Sequence, residues 1–407
     1  MKTMKKATTA IIGGGASGLF CAASLRGDVF LLERGERVGR KLSATGNGQG
    51  NVTNINMSKS HYFSSAPDIS VRLSEGLSEH GEKDMLTFFQ ELGGLFLPDE
   101  RGRVYPAGRQ ASSVTDLLRY AVAAKGVSVR TGVFVTSIER EKGDFKITAE
   151  TPDGKEHFFS ENVVLCTGGK AAKNFGSDGN GYALAKSFGH SVTDLYPSLV
   201  QLKTETAPIR GLKGIRVEAD VSAYEGREKL GKERGDVIFT DYGVSGDAIF
   251  RLSAFLSDRA EKGDVVLSLA FLPEVQEAEL VRILENKQKS GVFPEGELLC
   301  GILNNQLGRA VMRRCDPNPK SVAAGIKNFT LRVSGTLGFD YAQVTKGGIR
   351  LTETDATLQS RLVKGLYFAG EILDVDGECG GYNLQWAYTS ARLVADALNE
   401  RRKDREA

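Results

Sequence analysis

Near its start the chain carries a short apolar run, Ala10-Ile11-Ile12, that breaks into Gly13-Gly14-Gly15 and resumes as an Ala- and Leu-rich stretch to Leu25. A second apolar run, Val29 to Leu32, ends on Glu33. Short apolar runs bounded by glycine read as buried parallel strands, and the small-residue stretch from Ala16 to Leu25 reads as a helix lying on a sheet. The pattern therefore predicts a βαβ unit with Gly13, Gly15 and Gly18 at its first strand-to-helix turn.

Further along, a long polar, glycine-rich segment, "GERVGRKLSATGNGQGNVTN", has the marks of a functional loop. Ser113-Val114-Thr115-Asp116 matches a capping box and predicts a helix to about Lys125. "VSVRTGVFVTSIERE" predicts two strands, "DFKITAETPDGKEHFF" a hairpin turning at Asp153-Gly154, and "NVVLCTGG" another buried strand ending in glycines. "GNGYALAKSFGH" is a helix with its stop signal. From Tyr196 the texture becomes short alternating segments separated by proline and glycine, so 196–272 reads as largely antiparallel β. Helices are expected near Pro273 and near Glu297, and "FTLRVSGTLGF" returns to β. Leu366 to Ala369 is a strand and Asn383 to Leu398 a long helix, with "RRKDREA" as its frayed end.

This order makes the dinucleotide domain discontinuous, and the chain reads as an α/β protein with a Rossmann-like dinucleotide-binding domain. Residues 1–195 and 336–407 form that domain, 196–272 and 316–335 a β-rich inserted domain, and 273–315 a small helical insert.

Composition narrows the chemistry. The chain has 407 residues, 41% hydrophobic and 26% charged, enough for two or three domains with ordinary cores. A net charge of +2 argues against a nucleic-acid surface, with Arg309, Arg313, Arg314 and Lys320 as the one modest basic patch. The "MKTMKK" start leads into a first strand rather than a signal peptide, and no run approaches the roughly 18 apolar residues of a membrane span. A cytoplasmic, bacterial protein acting on a small molecule is expected, with its oligomeric state left open. Five dispersed cysteines without C-x-x-C and four scattered histidines argue against a metal site or a histidine triad. The chemistry must come mostly from a cofactor.

In the βαβ turn, Gly13 permits the tight turn, Gly15 lets the backbone approach a pyrophosphate, and Gly18 lets helix and sheet pack closely. The helix start at Ala16 and Ser17 offers N–H groups and a dipole to phosphate. Glu33 lies about twenty residues on, where a carboxylate accepts ribose hydroxyls, so FAD or NAD fits better than NADP. Four further segments favour FAD. Arg34, Arg40 and Lys41 bring positive charge near the pyrophosphate. The loop around Gly46, Asn47 and Gly48 allows close backbone approach. Thr167, Gly168 and Gly169 end a strand where the chain must pass the cofactor. Gly370-Glu371 and Gly381-Tyr382-Asn383-Leu384 precede the last helix, whose N–H groups suit a reduced flavin.

With these segments in view, the sequence resembles the bacterial BaiN/YhiN-like flavoproteins, also labelled aminoacetone-oxidase-family FAD-binding enzymes, of the two-dinucleotide-binding-domain superfamily. The resemblance rests on "AIIGGGASGL", "GRKLSATGNGQGNVTN", "GRVYPAGRQASSVTDLL", "TGGKAAKNFGSDGNGYALAKSFGH", "FTDYGVSGDAIFRLS" and the segment from Thr345 to Arg392. It implies an FAD domain interrupted by a β-rich domain that is itself interrupted by a helical one. It implies that Gly13, Gly15 and Gly18 hold the pyrophosphate and Glu33 the adenosine ribose. Lys41 would sit near the phosphates, and Val135 would give backbone contacts to adenine. Glu371, Asn383 and Leu384 would lie by the ribityl chain and flavin. Gln49-Gly50 stands where relatives often carry Arg-Cys, and Asp241 and Asp247 stand where His and Pro are expected.

The family labels imply either reduction of conjugated enones of steroid or bile-acid type, or amine oxidation. No second G-x-G-x-x-G follows a strand, so NAD(P)H is expected to dock transiently rather than in its own domain. Tyr382, Tyr105 and Asn51 are the candidates for polarising a substrate carbonyl. Cys379 is a candidate redox thiol without a nearby partner. A flavin-containing RNA-modification or RNA-binding accessory protein is the alternative from a different class.

Overall fold

The structure, a computed structural model, describes residues 5–294 and 296–406; the start Met1–Met4 and the final Ala407 lie outside the described residues. The chain divides into two units, Met1–Tyr196 with Val344–Ala407, and Pro197–Gln343.

The first unit is built on a seven-stranded mixed sheet. Its order is Ser128–Arg130, Val29–Leu32, Lys5–Ile12, Gly154–Leu165, Asp144–Thr151 and Phe134–Glu141, with Leu366–Phe368 pairing the far half of Gly154–Leu165. The expected strand at "NVVLCTGG" is the second half of this longer strand. Its first half pairs antiparallel with Asp144–Thr151, and its second half runs parallel to Lys5–Ile12 and Leu366–Phe368. Ile11, Leu31, Val164 and Phe368 are fully buried, as the uninterrupted apolar runs require of a covered parallel sheet.

Ala16–Ser24 is the crossover helix. It packs on the long final helix, Tyr382–Glu406, where Phe20 meets Tyr388 edge-on at 5.1 Å. Burying Phe20 contributes about 2–3 kcal/mol. The final helix starts at Tyr382 and includes the expected frayed tail through Glu406. The capping box at Ser113 is overruled. The helix is Ala111–Ala124, with Gln110 at its N-cap, because Ala111 is pinned in the core against Gly50.

A buried polar cluster fixes the final helix. Gln385 accepts from Thr53 Oγ1 (2.6 Å) and donates to the His80 carbonyl (2.9 Å). The His80 ring meets Asp84 through Nδ1 (3.0 Å) and Asp396 through Nε2 (3.1 Å). Burial works against a charged imidazole, and so does Arg392, but the hydrogen bonds to Asp396 and Asp84 outweigh both and hold His80 above its ordinary value. Its contribution to stability is therefore full below the ordinary imidazole value of 6.5 and is lost as pH rises through the raised one. His80→Asn should cost about 1 kcal/mol on the acid side, since it removes a charge-assisted partner from Asp84 and Asp396, whose half-exposed carboxylates recover part of the loss from water. It should also flatten the alkaline decline seen in the wild type. Urea melts at about pH 6 and about pH 9 check this, and equal pH slopes in the two proteins would contradict it.

The second unit is a closed six-stranded antiparallel barrel. Its order is Leu202–Thr204, Gly243–Ser245, Glu228–Phe239, Arg216–Glu225, Val265–Phe271 and Phe329–Thr336. Asp247–Ala260 is a helix within the segment read as β. Ile249, Leu252 and Leu256 are buried at helical spacing, a signal masked by the glycine-rich turn before it. The helix expected near Pro273 is Glu277–Ser290. The one near Glu297 is Asn305–Met312, capped by Asn304 Oδ1. Pro319–Lys327, in the segment assigned to β, is a third. Leu284, Val311 and Ile326 from these helices share one core with Val221 and Leu269 of the barrel.

The two departures from the family pattern that fall in this unit, Asp241 and Asp247, both find partners. Asp241 pairs with Lys213 at 2.7 Å. Asp247 opens its helix, pairing with Arg251 (2.8 Å) and accepting from the Asp236 N–H (2.9 Å).

Candidate cofactor and substrate site

The three glycines of the turn have three different surroundings. Gly13 has φ +105°, and a Cβ there would stand 2.5 Å from the Cys166 carbonyl oxygen. A Cβ on Gly18 would stand 1.9 Å from the Gly13 carbonyl oxygen. A Cβ on Gly15 would meet no protein atom within 4 Å. Gly13 and Gly18 are thus demanded by the protein's own packing, whereas the space over Gly15 is open. Gly15 is also the N-cap of the Ala16–Ser24 helix and makes no side-chain cap, so the first-turn N–H groups face that open space. A pyrophosphate fits this cradle in both shape and charge.

Glu33 holds the turn from the next strand. Its Oε2 accepts from the Gly14 N–H (2.7 Å) and its Oε1 from the Gly35 N–H (2.6 Å). A carboxylate has about four acceptor positions, so two remain for ribose hydroxyls. Arg34 pairs with Asp178 (2.8 Å), and Arg40 donates to the Asn174 carbonyl (2.8 Å). Both arginines therefore tie down the 174–178 loop. Val135 sits where the ladder to Asp144–Thr151 slips register, and its carbonyl accepts from Asn180 Nδ2 (3.4 Å).

Lys41 pairs with Glu371 at 2.8 Å, although the two lie 330 residues apart in sequence. Glu371 Oε1 also accepts from the Thr345 N–H (3.0 Å), and Thr345 Oγ1 accepts from the N–H groups of Lys170 (2.8 Å) and Ala171 (3.0 Å). Gly169 lies against both side chains, since a Cβ there would stand 2.4 Å from Thr345 Oγ1 and 2.8 Å from Glu371 Oε1. Thr345 carried no sequence signal, and its role emerges only from the fold. Gly168 adopts φ +71°, and the Thr167 hydroxyl points at Gly181 of the neighbouring helix. Gly370 joins this set. Its N–H donates to Ser390 Oγ (2.8 Å), its carbonyl accepts from Trp386 Nε1 (3.3 Å), and Ser17 abuts its Cα. Gly370 thereby joins the first turn of the crossover helix to the second and third turns of the final helix.

The final helix begins against a small sheet. Gly381, at φ +102°, lies so close to the Thr53 backbone that a Cβ would stand 2.4 Å from the Thr53 carbonyl oxygen. Gln385 is the first N–H to find an acceptor within the helix, the Gly381 carbonyl (3.0 Å). The Tyr382, Asn383 and Leu384 N–H groups precede it in the unsatisfied first turn. The Asn383 side chain clamps Gly377, accepting from its N–H (2.9 Å) and donating to its carbonyl (2.7 Å).

Among the catalytic candidates, Asn51 must be withdrawn. Both hydrogens of its amide are committed, to the Thr53 carbonyl (2.9 Å) and the Val104 carbonyl (3.0 Å), in a buried setting. Tyr382 is different. Its ring stacks on His61 at 4.4 Å, and His61 Nδ1 is held by Glu378 at 3.0 Å. Burial, with Glu378 adding, pushes its phenol up to about 12, so it stays protonated as a donor. Tyr105 lies nearby: Gly380 places a Cβ position 3.5 Å from the Tyr382 ring and 3.9 Å from Arg103, two residues before Tyr105. Cys379 lies within electrostatic reach of Arg103 and Tyr105, and none of the five cysteines is joined in a disulfide. Among the described residues no group of three His, Cys, Asp or Glu side chains could hold a metal ion, and no helix is long and apolar enough to cross a membrane.

Sheet order, glycine turn and ribose acid define the class, a Rossmann-type FAD-dependent oxidoreductase. The chain belongs to the HI0933-like family, whose Rossmann domain matches residues 7–397. It is 37% identical to a 3-dehydro-bile acid Δ(4,6)-reductase of Clostridium scindens, over 96% of this chain and 98% of that one. It is 27% identical to a ribosomal RNA dihydrouridine synthase of Haemophilus influenzae, again over 96% and 98%. In fold it is similar to the 3-ketosteroid-Δ4-(5α)-dehydrogenase of Rhodococcus jostii RHA1, solved with 4-androstene-3,17-dione. That likeness has a TM-score of 0.50 at 16% identity, covering 97% of each chain.

Proposed function

We propose that this protein is a cytoplasmic reductase that saturates a carbon–carbon double bond conjugated to a carbonyl in a small, steroid-like acceptor. The observation that carries this reading is the full-length 37% identity to a bile-acid Δ(4,6)-reductase, joined to a protonated Tyr382 at the start of the final helix. The more distant relative's name points to related chemistry, because the bond lost in forming dihydrouridine is also conjugated to a carbonyl. The ribosomal RNA reading gains little from the basic patch. Arg309 is paired with Glu297 (2.6 Å), and Arg314 donates to the Thr330 carbonyl (2.7 Å) while lying over Phe329.

When bound, FAD would supply the hydride chemistry that links NAD(P)H to the acceptor. The chain's own residues do the rest. The N–H groups of Ala16, Ser17 and Gly18 hold the pyrophosphate, and Glu33 takes the adenosine ribose. Val135 offers backbone groups to adenine. Arg34, Arg40, Thr167 and Gly168 shape the path between, with Gly46, Asn47 and Gly48 approaching from the facing loop. Lys41 and Glu371, with Gly169 and Gly370, border the ribityl chain. The N–H groups of Gly381, Asn383 and Leu384 stabilise negative charge at the flavin's pyrimidine edge. Tyr382 donates the proton that completes saturation at the carbon next to the carbonyl, and Tyr105 borders the acceptor.

The experiment is anaerobic reduction of the purified yellow protein by NADH and by NADPH, followed by a panel of enones, quinones and oxygen. Reoxidation by 3-oxo-Δ4 acceptors at least about tenfold faster than by quinones or oxygen is expected. Reoxidation by amine-derived imines or by oxygen alone would refute it, as would release of FMN rather than FAD on denaturation.

A further inference from the structure

Arg109 occupies a costly position that the cofactor site does not explain. It is one of the few non-glycine residues in left-handed backbone, at φ +49°, in the turn where its N–H donates to the Pro106 carbonyl (2.8 Å). That conformation is disfavoured in an L-residue. Its guanidinium lies 4.2 Å from the centre of the Tyr105 ring, and that ring is buried. One nitrogen donates to Gln49 Oε1 at 3.2 Å.

The neighbouring arginine is fully occupied by comparison. Arg103 donates to Asp99 through Nε (2.8 Å) and pairs with it through a second nitrogen (2.7 Å). Arg109, which is exposed, faces no carboxylate within salt-bridge distance among the described residues. A guanidinium has five N–H donors. Here its plane is fixed by an aromatic face and one edge by a neutral amide, which leaves the other edge open in the fork that suits a carboxylate.

We propose that Arg109 is a specificity-determining residue that binds a carboxylate on the acceptor, remote from the double bond being reduced. This rests on the enone reading above and adds the acceptor's charge to it. Tyr105 serves as the platform, and Gln49 orients the guanidinium. A neutral acceptor would gain nothing from this arrangement.

The test uses the FAD-loaded protein and two matched ligands, a saturated 3-oxo steroid acid and its methyl ester, titrated by the change in flavin absorbance. The acid is expected to bind about 10- to 100-fold more tightly than the ester, the range of one charge-assisted pair. Arg109→Gln should erase that preference by weakening the acid alone, and Arg109→Lys should restore part of it. With the corresponding enones, Arg109→Gln should raise KM for the acid by a similar factor and leave kcat and the ester unchanged. Equal binding of acid and ester by the wild type would overturn the proposal, as would a variant that weakens both equally. Saturated acid preferred through Arg109 while neither enone is reduced would keep the carboxylate site and strike the reaction instead.

Discussion

Gly15→Val is expected to fold normally and to lose FAD, while Gly18→Ala is expected to be markedly less stable. A Cβ at Gly15 meets no protein atom within 4 Å, and the residue's φ of −76° is open to any side chain. The branched side chain would instead fill the space left for the pyrophosphate. FAD affinity should fall at least about 100-fold, or about 3 kcal/mol. At Gly18 the smallest possible side chain would lie 1.9 Å from the Gly13 carbonyl oxygen. Neither the helix nor the turn can move without breaking the bond from the Gly13 N–H to the Leu32 carbonyl (2.8 Å). A cost of about 3 kcal/mol, the upper end of the usual range for overpacking, follows from so short an approach. Thermal melts of the apoproteins and flavin content after reconstitution separate the two cases. A Gly15→Val protein that keeps full FAD would displace the cofactor from this turn.

The second large effect is expected for Tyr382→Phe. The substitution keeps the ring that stacks on His61 and the carbonyl that accepts from Tyr62 Oη (3.0 Å), and removes only the phenolic proton. Reduction of the bound flavin by NAD(P)H should be unchanged. Transfer to the enone should slow by about 10²- to 10⁴-fold, the usual contribution of a positioned general acid. Rapid-mixing measurement of the two half-reactions shows whether only the second is affected. Equal rates in both would return Tyr382 to a packing role.

The parts of this site that the sequence made legible are local ones. The βαβ turn could be read because three glycines, two apolar runs and an acid stand at spacings fixed by one strand, one turn and one helix. The start of the final helix could be read for the same reason. What could not be read depends on distant chain meeting by folding. Lys41 and Glu371 pair across 330 residues, and Thr345 enters the site only through the sheet that carries it. Asn51 looked free to act because its acceptors, the carbonyls of Thr53 and Val104, belong to a strand pair with no sequence mark. The capping box at Ser113 lost to burial of Ala111, a case of tertiary packing overriding a local signal. Asp247–Ala260 was missed although its apolar residues recur at helical spacing, because the glycines before it were read as the texture of the whole segment.

Anaerobic single-turnover reduction of a 3-oxo-Δ4 steroid acid in deuterated water tests the central claim most directly. Protein reduced beforehand with one equivalent of NAD(P)H should regain its yellow colour at a rate that saturates with acceptor. The product should be the saturated ketone, with solvent deuterium at both former alkene carbons, because the transferable hydrogen of a reduced flavin is bound to nitrogen and exchanges with water before transfer. Colour that returns only on admission of oxygen, with the steroid recovered unchanged, would contradict the assignment of this protein as an enone reductase.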